Sequence, residues 1–262
     1  MRQRAGNSSL TDLTRSRWLS PVLFLLAWEL ACDIGWISPH ILAAPSTVLG
    51  TFKDMLVSGE LASNLIVSLR HAILGCAIGS GLGVILALCA GLARSGDAII
   101  DPIIQVKRSI PVVALTPLFI IWFGIGETTK IVLIAFAALL PVYINLHSGI
   151  RSVETRLVDA ARSFGLGRLD LIVHVILPGA LPSLLTGLRY ALSISVLMLV
   201  IAKQINASEG LGFLINNARD AMRTDIILVC LFVYASLGLG ADALMRAAER
   251  RLFVWRPSLV EI

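Results

Sequence analysis

A bundle of six membrane-spanning α-helices is the fold class this 262-residue sequence predicts, on three observations. Apolar side chains make up 56% of it and charged ones only 15%, whereas soluble domains hold roughly 45–50% apolar residues. The mean hydropathy is +0.84. Apolar residues fall in long runs without extended apolar/polar alternation, which disfavours an outer-membrane barrel and makes a helical bundle the default. Lysine and arginine cluster between alternate runs, as they do on the cytoplasmic side of a membrane protein.

In chain order, residues 1–17 are polar and rich in arginine (Arg2, Arg4, Arg15, Arg17) and read as a cytoplasmic tail. The first span runs from about Leu19 to Ile37 and has no small-residue cleavage site, so it is a retained helix, not a signal peptide. Glu29, costly at membrane depth, is expected to face protein or water in a packed hydrogen bond. Between Ser38 and Asn64, Pro45 and a Ser46-Thr47 helix start open an amphipathic surface helix that ends near Gly59. The second span, about Leu65 to Leu92, carries Gly75, Gly79, Gly83, Ala87 and Gly91 at four-residue intervals. That stripe of small side chains lets another backbone approach closely and points to a central helix.

Arg94 to Ser109 reads as a charged break. A third span follows over Ile110 to Gly126, where Pro111 and Pro117 are expected to kink or unwind it. A fourth, Thr129 to Leu146, contains Pro141. The polar stretch Gly149 to Leu188 separates it from a fifth, Leu184 to Ala202, which has its own small-residue stripe at Gly187, Ala191 and Ser195. Residues 203–225 form an outer segment around Gly210-Leu211-Gly212. A sixth span, Ile226 to Gly240, leads to a basic tail with Arg246, Arg250, Arg251 and Arg256.

With the N-terminus inside, segments 1–18, 94–110, 149–189 and 241–262 are cytoplasmic and hold sixteen of the twenty-two lysines and arginines. This puts both termini in the cytoplasm and explains the +5 net charge without a nucleic-acid partner. Lys53, Lys107, Lys130 and Lys203 are the only lysines, and none precedes serine or threonine, so the chain has no phosphate-binding loop of the Gly-x4-Gly-Lys-Ser/Thr type. Hydrolase elbows and zinc-helix motifs are missing too, and the sequence reads as that of a non-enzyme. The four cysteines lie in apolar runs and behave as small hydrophobes; His40, His71, His147 and His174 are scattered and read as hydrogen-bonded or interface residues. Because Glu29 is the one acid clearly within a span, a proton- or ion-coupled carrier is disfavoured, and energy is expected from an attached partner.

The segment 149–188 is where that partner would bind. Glu154 to Phe164 reads as a short helix with acids early (Glu154, Asp159) and Arg162 late, stopped by Gly165. A second helix starts near Arg168 and is expected to be interrupted at Pro178 and Pro182. Asp159-Ala160-Ala161, three residues, Gly165, and then Ile176-Leu177-Pro178 resembles the coupling loop of ABC importer permeases, with aspartate where glutamate is more usual. Pro45-Ser46, Ile110-Pro111, Pro117-Leu118, Trp122-Phe123-Gly124, the run Gly124 to Lys130 and the closing Arg250-Arg251 to Trp255 are similar to the taurine, nitrate and sulfonate group of these permeases. Tyr143-Ile144-Asn145, His174 to Pro182 and Asn217-Ala218-Arg219 look most like the aliphatic sulfonate importers. Ala202-Lys203 departs from the usual Ala-Glu at the outer end of the fifth span; the reversed charge near the pore mouth either changes the substrate or lets a lysine snorkel to the interface, and snorkelling is the preferred reading.

The resemblance implies a type I ABC importer permease fold of six transmembrane helices with a cytoplasmic coupling helix. Residues 1–60 would be the tail, first helix and outer segment, 61–249 the permease core and 250–262 the C-terminal tail. It implies a homodimer in the bacterial inner membrane, cytoplasmic ATPase subunits that bind ATP and magnesium, an external substrate-binding protein, and no cofactor in this chain. The coupling residues would be Leu157, Asp159, Ala160, Ala161, Arg162, Phe164, Gly165, Leu177 and Pro178. For a small organic anion, Arg70 and Arg189 are candidate attractors and Trp122 a further pathway residue. Against this importer stand an ATP-independent carrier or channel and a membrane scaffold without transport function.

Overall fold

The computed structural model describes residues 9–203 and 209–252; Arg2, Arg4, Trp255, Arg256 and the side chains of Arg15, Arg17 and Lys203 lie outside the described part. The regular elements there are all helical: α1 Ser9–Asp33, α2 Pro45–Val57, α3 Glu60–Leu92, α4 Arg94–Ser109, a 3-10 turn Val112–Leu115, α5 Thr116–Phe123, α6 Glu127–Arg151, α7 Thr155–Ser163, α8 Arg168–Leu171, a π turn Ile172–Ile176, α9 Leu177–Lys203, α10 Leu211–Asp220 and α11 Thr224–Leu252. Among them α3, α6, Arg168–Ala202 and Thr224–Arg251 are long and apolar enough to cross a bilayer.

Three segments differ from the expectation. The arginine-rich start is already helical from Ser9. Residues 94–109 form a helix, not a break, and that helix meets Val112–Phe123 at a bend of 91°. Pro111 lies in the bend and Pro117 near the start of α5, where a missing backbone N–H is tolerated. The bend falls where the prolines are expected to kink or unwind the chain, and Ser95–Ser109 with Val112–Phe123 is long and apolar enough to cross a bilayer only as a bent pair. Pro178 and Pro182, by contrast, do not interrupt their helix, which runs on through α9 to Lys203. The π turn just before Leu177 widens the backbone there, and such an extra residue in the helical ladder is a usual relief for a nearby proline.

The chain divides into two compact units. In the unit that joins residues 1–63 to Leu214–Phe232, Glu29 accepts hydrogen bonds from the Ser46 backbone N–H at 3.0 Å and from the Ser46 hydroxyl. The acid of α1 thus serves the positive end of α2. Thr51 Oγ1 and Arg223 Nη2 both reach Asp225 Oδ2, at 2.8 and 2.6 Å, and tie α2 to the start of α11.

In the other unit, Asn64–Phe213 with residues from Val233 on, α6 is the most enclosed helix: half of its apolar window is buried, against 39% for α3. The glycine stripe of α3 lies on it. A Cβ at Gly79 would stand 2.1 Å from the Ala135 carbonyl oxygen, one at Gly83 2.7 Å from the Leu139 oxygen, and one at Gly75 2.6 Å from Ile134 Cβ. Ala87 is fully buried, and a Cβ at Gly91 would touch Ile150 at 3.0 Å. On a neighbouring flank α9 uses Gly187, whose Cβ would come 3.0 Å from the Pro141 oxygen, and Ala191, which packs with Ala138, Val142 and Cys76 of α3. Small residues on α3 and α9 therefore let both helices pack closely on α6. α10 is anchored at its N-terminus by α3: Asn64 Oδ1 accepts from Gly210 N–H at 2.6 Å and Ser68 Oγ from Leu211 N–H at 3.0 Å.

Gly79→Leu is expected to destabilise the bundle by about 2–3 kcal/mol, since the side chain meets backbone that cannot yield. Gly81→Ala, which adds its methyl to open space on the same helix, should not destabilise and should raise stability by about 0.5–1 kcal/mol through helix propensity. Denaturation midpoints of the two variants in detergent measure the contrast.

Candidate functional site

α6 ends at Arg151 with a backbone cap from Ser152 N–H to Ser148 O, and Glu154 turns the chain into α7. α7 closes with a two-bond Schellman arrangement: Leu166 N–H donates to Ala161 O at 3.2 Å and Gly165 N–H to Arg162 O at 2.9 Å. Gly165 has φ +84°, the left-handed conformation this closure requires. Gly167 then lets α8 start immediately, so α7 and α8 form a tight hairpin between two apolar helices.

The hairpin turns an apolar tip outward. Phe164 is 86% and Leu157 56% exposed, and Asp159, Ala160, Arg162 and Gly165 are exposed around them. Large exposed apolar groups rimmed by charge mark an interaction surface. Ala161 is only 8% exposed, so of the two alanines one secures α7 to its own chain and the other remains available. Leu177 is half-buried and Pro178 exposed where the π turn passes into α9. Beneath α7 lies a cleft of about 460 Å³ lined by Gly91 and Ile150 at the ends of α3 and α6, by Arg162 and Leu166, and by Arg168 and Leu171 of α8.

A polar ladder leads away from the hairpin along α4 and α6. Asp97 binds Arg151 Nη1 and, at 3.0 Å, His147 Nε2. One turn along each helix, the Tyr143 hydroxyl donates to Asp101 Oδ1 at 3.3 Å, and the Tyr143 and His147 rings stack with centroids 5.4 Å apart. Of these five, the sequence marks His147 as a hydrogen-bonded or interface residue, which it is, and Tyr143 only within a family-like string; it assigns Asp97, Asp101 and Arg151 no role. Their spacing was visible, with Asp97/Asp101 and Tyr143/His147/Arg151 each repeating every four residues on one face, but only the fold shows that the two faces meet.

The proposed pathway residues lie on three different helices, α3, α5 and α9. Arg70 is exposed on α3, and Trp122 is 61% exposed on α5 while packing edge-on against Phe119. Arg189 is engaged by carboxylates: its Nη2 lies 2.7 Å from Asp242 Oδ1 and its Nη1 3.7 Å from Glu249 Oε2. Arg246 shares Asp242 at 2.5 Å, so the charge of Arg189 is already balanced between α9 and α11.

Residues 79–254 match the family described as "Binding-protein-dependent transport system inner membrane component". The chain is 44% identical, over 92% of its length and 92% of the relative's, to a protein of Escherichia coli strain K12 named as the aliphatic sulfonates transport permease SsuC. A Bacillus subtilis strain 168 protein of the same name is 39% identical over 92% of this chain and 87% of that one. The taurine transport system permease protein TauC of Escherichia coli strain K12 is 36% identical over 89% and 86%. Among solved structures, an amino acid ABC transporter chain superposes with a TM-score of 0.65 at 21% identity, covering 76% of this chain and 98% of its own. The inward-facing MetNI methionine ABC transporter superposes at 0.53 and 20% identity over 74% and 97%. These two likenesses establish the fold.

Gly165→Ala is expected to weaken the α7 closure by about 1 kcal/mol, because a Cβ disfavours the left-handed conformation. Faster hydrogen exchange at the Gly165-site and Leu166 amides reads this out. Gly167→Ala, at an ordinary φ of −69°, should leave those amides unchanged.

Proposed function

The chain belongs to the family of inner-membrane components of binding-protein-dependent transport systems, and we propose that it imports a small organic anion, an aliphatic sulfonate foremost, by coupling to a cytoplasmic ATPase through the α7–α8 hairpin. The observation that carries this reading is the hairpin itself: a rigidly capped helix between two apolar helices, presenting Phe164 and Leu157 beside Ala160. An apolar tip with a small residue at its centre suits insertion into a groove of a folded partner, with Asp159 and Arg162 as its charged rim. The names carried by two relatives support the sulfonate. Taurine is the second reading, supported by the third relative; it too carries a sulfonate group.

The finer features of this proposal follow the same logic. α1, α3, the bent pair α4–α5, α6, the helix 168–203 and α11 are six passes, with both termini and the hairpin in the cytoplasm, consistent with the lysine and arginine asymmetry. Residues 1–60, 61–249 and 250–262 are the peripheral entry segment, the permease core and the tail. Two copies of the chain form the pathway, an external binding protein delivers the solute, and two ATPase subunits beneath bind the ATP and magnesium that this chain does not. Closure of the ATPases moves α7. Leu177 and Pro178 pass that motion to α9 through the π turn, and Arg151 and His147 pass it to Asp97 and thus to α4. The bundle rocks as a rigid body between inward- and outward-open states.

Ala160→Arg and Phe164→Asp should each leave membrane insertion intact yet abolish co-purification of the ATPase and reduce ATP-dependent ethanesulfonate uptake by at least tenfold. Affinity purification of the complex and uptake into proteoliposomes check this. Full uptake by both variants refutes the role assigned to the hairpin.

A further inference from the structure

The broken helix pair places a cation where no carboxylate of the described residues meets it. Lys107 lies in the last turn of α4, three residues before the bend, and its side chain runs to α6, where Nζ donates to the Phe136 carbonyl oxygen at 2.5 Å. The ammonium also stands 4.5 Å from the centroid of the Phe136 ring. Phe136 is well inside α6, roughly 14 Å along the axis from Glu127 at 1.5 Å per residue. Among the described residues no carboxylate comes within 4.0 Å of this ammonium. Arg151, Arg189 and Arg223 each hold one.

Across the bend a second polar group is left over. Thr116 Oγ1, at the start of α5, is enclosed and makes no hydrogen bond. Thr116 is three residues from Phe119 and shares its helix face, and Phe119 packs edge-on against Phe136 with centroids 5.4 Å apart. Phe119 and Phe136 belong to one buried cluster with Val112 and Leu115 of the turn between α4 and α5. The Phe119–Phe136 pair thus links an ammonium that no described carboxylate meets, on one side of the bend, to the helix face that carries the unbonded Thr116 hydroxyl on the other. A charge inside a membrane bundle is expensive unless something pairs with it, and a discontinuous helix at membrane depth is where transporters place solute groups.

The geometry points to Lys107 and Thr116 as the subsite for the anionic headgroup of the transported solute, with Phe119 and Phe136 lining its apolar chain. The inference rests on the reading of the solute as an organic anion. A sulfonate has three oxygens: one takes the ammonium in place of the Phe136 carbonyl and another accepts from the Thr116 hydroxyl, both ordinary hydrogen bonds and one charge-assisted. A short alkyl chain beside the headgroup meets aromatic edges rather than water, which favours an alkanesulfonate over a bare inorganic anion.

The test uses the complete transporter, with its ATPase and binding protein, in proteoliposomes, and reads ethanesulfonate imported per ATP hydrolysed. Lys107→Met should lower that ratio by roughly tenfold or more and Thr116→Val by roughly threefold, while binding-protein-stimulated ATP hydrolysis continues. Lys107→Arg should hold the ratio within about threefold of wild type. An unchanged ratio in Lys107→Met overturns the subsite. So does a parallel loss of hydrolysis and transport that Lys107→Arg does not restore, which would make Lys107 a latch for the bend. If the wild-type complex imports no ethanesulfonate or other organic anion, the anion reading itself falls.

Discussion

The approach of helix backbones to α6 sets the arrangement of the bundle. Gly79 and Gly83 bring α3 so near that a methyl group on either would overlap a carbonyl oxygen of α6, and Gly187 brings α9 close enough that a methyl there would press on the Pro141 oxygen at 3.0 Å. Inside a bilayer no hydrophobic effect draws helices together, so dispersion between closely fitted surfaces and relief of lipid ordering must suffice. Glycine at the contact provides the fit. With α6 clamped on two flanks, its side chains point in fixed directions, and both the polar ladder and the Lys107 contact inherit that precision.

A clamped α6 also explains why a small hairpin can matter to the whole molecule. α7 hangs directly from the end of α6 and rejoins α9 through α8 and the π turn, the same two helices that pack face to face along Gly149, Ser183, Gly187 and Pro141. The hairpin is therefore joined to both at once. Asp97 extends the contact to α4 through Arg151 and His147, and α4 leads to the 91° bend beside Lys107. The connection from the exposed Phe164 to the interior is made of helix ends, charge-assisted hydrogen bonds and close packing.

Prolines show why the same residue had different consequences. Pro111 coincides with a true break because it sits in a turn between helices, where the fixed φ is accommodated and the chain redirects. Pro178 and Pro182 sit inside one continuous helix because a π turn at Ile172–Ile176 provides slack one turn earlier. Pro141 is retained within α6, where Asn145 Nδ2 donates to its carbonyl at 2.8 Å. Sequence shows where an N–H is missing, and the surrounding ladder determines whether the helix bends.

The sequence by itself determined the helical membrane class, the spacing of small residues, the stop at Gly165 and the family, because each depends on local chemistry: apolar run length, a four-residue repeat, a left-handed residue, a short motif. It also located the hairpin that now carries the functional proposal. Tertiary structure alone decided that α6 is the helix on which the small-residue stripes of α3 and α9 both pack, that Ala161 faces inward while Ala160 faces out, that Arg189 is matched by Asp242 and Glu249, and that Lys107 is not matched by any described acid. Those facts depend on which surfaces meet across tens of residues of chain, and a one-dimensional pattern records each face without naming its partner.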